Sequence, residues 1–75
     1  MIKEEVLERV KKSFLGHSVA IQKAITTEDK ELYVVSVGGQ CYSLDGFTRL
    51  NENFDGYNIL IHIESSSLLL TISKG

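Results

Sequence analysis

The last quarter of the chain constrains the fold most. It runs Ile59-Leu60-Ile61-His62-Ile63, then Ser65-Ser66-Ser67, then Leu68-Leu69-Leu70-Thr71-Ile72. Two short runs of β-branched and leucine residues around a serine turn read as a β-hairpin that is apolar on both faces. A strand with one face in water alternates apolar and polar residues. Both faces of this hairpin therefore need cover, from the chain itself or from another.

The chain has 75 residues and reads as one domain, near the lower end of what folds without staples. At this size folding buries only roughly 60% of the surface that the unfolded chain exposes. A partner subunit that covers further apolar area then matters more than it would to a larger domain. The single Cys41 excludes an internal disulfide and points to a reducing compartment, the cytoplasm. Met1-Ile2-Lys3-Glu4-Glu5 does not read as a basic and then apolar leader. No apolar run approaches the ~20 residues that a membrane helix needs. A net charge of −2 gives no broad footprint for nucleic acid or an anionic membrane.

The clearest local signal is a helix over 2–15. Ile2, Val6, Leu7, Val10 and Phe14 fall in one arc, with Glu4, Glu5, Glu8 and Lys12 opposite. Gly16 suits the C′ position. Beyond it the period changes to 2, and strands are expected at about 18–26, 31–37, 40–44, 47–50, 57–64 and 68–73. Gly38-Gly39 and Asp45-Gly46 read as hairpin dipeptides, and no internal repeat is evident. The fold class expected is α+β: an N-terminal amphipathic helix on an antiparallel meander of five or six strands. The helix covers one face. The other, with Leu60, Leu69, Tyr33 and Val35, closes as a partial small barrel or meets another chain.

Candidate chemistry is sparse. Asn51-Glu52-Asn53-Phe54-Asp55-Gly56 places oxygens at alternate positions before a glycine, as in the first half of a calcium loop. The match fails at its first position, Asn51, and at its twelfth, His62, where a bidentate Glu is needed. The segment reads as a polar loop. Cys41 with His17 or His62 could form a thiol–imidazole pair, but thiol catalysis also needs a cleft and an oxyanion site. Cys41 reads instead as a small buried strand residue. No catalytic, cofactor or metal residue is nominated, and no enzyme activity is expected. Glu28, Asp29 and Glu31 form an acidic patch around one turn, suited to a basic partner. Lys11, Lys12 and His17 are the one basic concentration.

In order and length, one helix followed by a bent antiparallel sheet resembles the Sm-like RNA-binding proteins, which form rings through edge strands. Asp45 and Asn51 do not stand at the spacing of that family's first motif, and Ser65-Ser66-Ser67 replaces the Arg/Lys-Gly step of its second. No binding residue is carried over, and no membership is assigned. The function expected is a small non-catalytic protein–protein interaction module, of adaptor or inhibitor type. It self-associates as a homodimer through the C-terminal hairpin, with Leu60, His62, Leu69 and Thr71 at the interface. The alternative is a nucleic-acid-binding module of small-barrel architecture using Lys11, Lys12 and His17.

Overall fold

The computed structural model describes residues 1–39 and 41–75. Helix α1 spans Lys3–Ser13 and buries Val6 and Val10, with Phe14 closing its C-terminus; Ile2 stays exposed. Glu5–Arg9 and Glu8–Lys12 pair along its wet face at 3.7 and 3.4 Å. Strand β1 is Val19–Thr26 and β2 is Glu31–Gly38. At the far end of the chain, β3 is Asn58–Ile63 and β4 is Ser67–Lys74. The four pair antiparallel in the order β1-β2-β4-β3.

Between β2 and β3 the chain departs from the meander. Helix α2, Leu44–Asn53, takes up the positions expected for strand 47–50. Of the strand expected over 40–44, residue 40 lies outside the described residues, 41–43 are irregular, and Leu44 opens the helix. Ser43 caps α2, its hydroxyl accepting from the Gly46 N–H at 3.1 Å. Asp45 sits in the first turn, where the helix dipole favours an acid. Phe47, Leu50 and Phe54 recur at i, i+3 and i+7, so the period here is helical. Asp45-Gly46 is therefore a helix start and not a hairpin. Gly38-Gly39 ends β2 instead of turning it, and Asn51–Asn53 is the last turn of α2, not a loop.

Among the described residues the sheet has four strands, not five or six, and it does not close into a barrel. Both helices lie on one face. Val6, Val10, Phe14, Leu50 and Phe54 form a single core with Tyr33, Val35 and Val37 of β2 and Leu68, Leu70 and Ile72 of β4. Tyr33 and Val35 thus face the helices, not the uncovered side.

The order α1-β1-β2 is repeated as α2-β3-β4. Arg9-Val10-Lys11-Lys12-Ser13-Phe14-Leu15-Gly16 returns forty positions on as Arg49-Leu50-Asn51-Glu52-Asn53-Phe54-Asp55-Gly56. Both glycines adopt positive φ, +86° and +84°. Phe14–His17 and Phe54–Tyr57 make matching edge-to-face contacts at 6.2 and 6.1 Å. The correspondence continues in the sheet. Val19 and Ile21 oppose Val37 and Val35, as Ile59 and Ile61 oppose Ile72 and Leu70. A bulge in β1 and a shorter β3–β4 turn then shift the numbering, and Tyr33, Val35 and Val37 match Leu68, Leu70 and Ile72. The pseudo-two-fold axis passes through the Val35–Leu70 pair and between the helices. There the equivalent residues Ser13 and Asn53 bond each other, Asn53 Nδ2 donating to Ser13 Oγ at 3.0 Å.

One repeat position breaks the symmetry. Where α1 carries Val6, α2 carries Gly46, against the Phe14 ring. A Cβ there would lie 2.7 Å from Phe14 Cε1 and 3.1 Å from the Ser13 carbonyl oxygen. The missing side chain lets α2 settle onto α1, and α1 rather than α2 provides the main helix contacts to the sheet. Gly46→Val should cost about 2 kcal/mol through overpacking, despite any gain in helix propensity. Urea titration would measure it; an unchanged midpoint would mean the seam has slack the geometry does not show.

Candidate interaction surface

In a sheet, alternate residues share a face, and the register assigns the uncovered face residue by residue. One row across the strands is Ile25, Leu32, Ser73 and Asn58, and the next is Lys23, Val34, Thr71 and Leu60. The third is Ala20, Ser36, Leu69 and His62. The four residues expected at an interface fall together here, as the cross-strand pairs Leu60–Thr71 and His62–Leu69. Leu32, Val34, Leu69 and Thr71 are half-buried by their neighbours alone, while Leu60 is 71% exposed. The hairpin is thus covered on the helix side of β4 and left open on the other.

Strand β3 is also an edge. Its helix-side residues Ile61 and Ile63 are 46% and 72% exposed, and α2 packs mainly on α1. The C-terminal strand β4 is central, paired on both sides. His62 Nε2 lies 3.8 Å from Glu64 Oε1, both in solvent.

The three acidic positions separate. Glu28 and Asp29 stay exposed on the β1–β2 turn. Glu31 turns to the helix side. Its Oε1 accepts from the Met1 amino group at 2.9 Å and lies 2.8 Å from the Tyr33 hydroxyl; its Oε2 accepts from the Tyr57 hydroxyl at 2.9 Å. The ammonium, then the two phenols, hold this carboxyl down at about 2. Burial, then the bond to Glu31, pushes Tyr57 up to about 12. Burial raises Tyr33 as well.

The acid dependence follows in sign. A carboxyl lowered in the folded state stabilises it above the ordinary value of 4.5, and that contribution is lost as pH falls toward 2. Thermal melts between pH 5 and pH 2 should fall more steeply for the natural chain than for Glu31→Gln. Parallel slopes would show that the network does not couple to folding.

At the opposite end, Ser13, Phe14, His17, Cys41, Tyr42 and Arg49 line an open cavity of about 420 Å³. Cys41 is exposed and irregular rather than a buried strand residue, and the fold brings it and His17 to one cavity. His17 stacks on Tyr42 at 5.0 Å, and its Nδ1 lies 2.7 Å from the Gly38 carbonyl oxygen. A carbonyl can only accept, so Nδ1 carries the proton and the ring is fixed to the backbone. Lys11 and Lys12 are exposed on α1, the latter paired with Glu8.

Among the described residues no group of three or more His, Cys, Asp or Glu side chains could hold a metal ion. No helix among them is long and apolar enough to cross a membrane. No protein-family model matches the chain, and neither a curated protein nor a solved structure matches it.

Proposed function

We propose that the chain is a small non-catalytic protein–protein interaction module that self-associates through its C-terminal hairpin. The observation that carries this reading is the uncovered sheet face, on which Leu60, Leu69, Val34, Leu32 and Ile25 form an aliphatic surface interrupted by Thr71, Ser36 and Ser73 and flanked on the edge strands by Lys23, Asn58 and His62. Antiparallel sheets that meet water on one side carry polar residues there. This one carries branched aliphatics at its centre, which is the composition of a contact surface.

A homodimer satisfies that need without a foreign partner, and in a domain this small the added burial contributes materially to stability. Adaptor and inhibitor roles both follow from such a surface: the module offers a sheet to another protein and performs no chemistry itself.

Leu60→Asp and Leu69→Asp test this directly. If the open face is the contact, each should weaken self-association at least about tenfold, or 1.4 kcal/mol, with the far-ultraviolet helix signal intact; if only the outer strand β3 pairs, Leu60→Asp alone should do so. Light scattering across a concentration series reads the mass. If both variants keep the natural chain's mass at every concentration, the hairpin is not the contact surface.

A further inference from the structure

We propose that β3 is the self-association edge. In two copies the β3 strands pair antiparallel about a two-fold axis at Ile61, joining two four-stranded sheets into one of eight. This rests on the self-association through the C-terminal hairpin proposed above and puts the contact on that hairpin's outer strand, so that the open face bearing Leu69 is extended rather than covered.

The internal repeat supplies the first argument. Strands β1 and β3 are equivalent edges of the sheet, so each is a control for the other. Edge strands that stay unpaired are guarded by bulges, charges or prolines. Strand β1 has such guards: its register slips between Ile21 and Lys23, and Lys23 stands on the edge. Strand β3 has none, for its register is continuous from Asn58 to Ile63, with neither Lys nor Pro. The repeat position of Ile21 is Ile61, and the partner of the guarded segment is Ile61-His62-Ile63. One half has kept its edge single, and the other has left it able to pair.

The second argument is exposure. Ile61 and Ile63 on the helix side and Leu60 on the other are 46%, 72% and 71% exposed. An unguarded edge with exposed isoleucines on one side and an exposed leucine on the other fits a neighbouring strand better than it fits water.

The third is self-complementarity, which selects a second copy over a foreign strand. Directly opposed residues of antiparallel strands share a face, so a two-fold through one residue fixes the whole register. With Ile61 on the axis, Ile59 opposes Ile63 of the second copy, and the helix side becomes an unbroken isoleucine ladder. On the other face Leu60 opposes His62, and Asn58 offers its amide to the Glu64 carboxylate. No like charges face each other. With His62 on the axis, two imidazoles would be opposed and Leu60 would face Glu64. The Ile61 register buries the exposed isoleucines and satisfies the one acid beside them.

The test uses the full chain in a Cys41→Ser background. Directly opposed residues have Cα atoms about 4.5–5.5 Å apart, within reach of a disulfide. Once the reductant is removed and oxidised glutathione added, Ile61→Cys should therefore oxidise rapidly to a covalent dimer, two thiols giving one disulfide as the oxidant is reduced. Leu60→Cys alone should not, while an equimolar mixture of Leu60→Cys and His62→Cys should give the mixed dimer. Ile61→Lys should abolish the dimer mass and keep the fold. Faster crosslinking of Leu60→Cys than of Ile61→Cys would overturn the register. A dimer locked by Leu69→Cys and not by Ile61→Cys would place the second copy on the open face, overturning the edge while leaving the interaction reading standing. A monomer at all concentrations would remove both.

Discussion

The fold depends on the ladder between β2 and β4. It runs in unbroken register from Glu31–Lys74 to Gly38–Ser67 and is the contact that joins the two halves of the sheet. Each half alone is a helix and a two-stranded hairpin, and an isolated hairpin is marginal in water. Joined, the six inward residues of β2 and β4 form one apolar strip under both helices. The helix seam repeats the logic in polar form. Ser13 and Asn53 meet across the pseudo-axis, and Arg9 Nη1 donates to the Asn53 carbonyl at 2.8 Å. The first half thereby caps a C-terminal carbonyl of α2.

Much of this was legible in the sequence and some was not, for identifiable reasons. The amphipathic stripe of α1 and the period-2 runs of β1, β2 and the C-terminal hairpin were local signals, and they stand within a residue or two of where they were expected. Helix α2 was hidden because Asp45-Gly46 is as much a turn dipeptide as a first helical turn. What decides between them is the packing of Gly46 against Phe14, a contact across more than thirty residues that no local pattern carries. The signal that could have found it is the repeat itself. Only Arg, Phe and Gly are identical in the eight-residue segment, so it is visible as a spacing of types rather than as likeness. Once the Phe-x-Gly step after α1 is known to end a helix, the same step at Phe54-Asp55-Gly56 implies a second one.

The uncovered face was legible in part. The alternation of the hairpin puts Leu60 and Leu69 on the face opposite Ile61 and Leu70. The expectation that Tyr33 and Val35 join them fails, since a run of branched residues does not say which parity turns inward. Cys41 illustrates the same limit. A strand there implies burial, whereas 41–43 are irregular and exposed Cys41 lines one cavity with His17.

The two halves of the fold differ in the residues that equivalent positions carry. The equivalent aromatics His17 and Tyr57 illustrate this at the two ends of the sheet. One is held by the Gly38 carbonyl and stacked on Tyr42; the other donates to the Glu31 carboxylate. Both fasten the first strand of a half to the structure beside it, so the role is retained while its chemistry changes. The two edges differ in their guards. A bulge and a lysine make β1 a poor template for another strand, whereas the matching positions of β3, Ile61-His62-Ile63, keep a continuous ladder and carry no lysine. Gly46 stands at the repeat position of Val6, α2 packs mainly on α1, and Ile61 and Ile63 of β3 stay exposed. A small domain has little apolar surface to spare. That one of its two equivalent edges should be stripped of both its guard and its helical cover is the asymmetry that any account of its function has to explain.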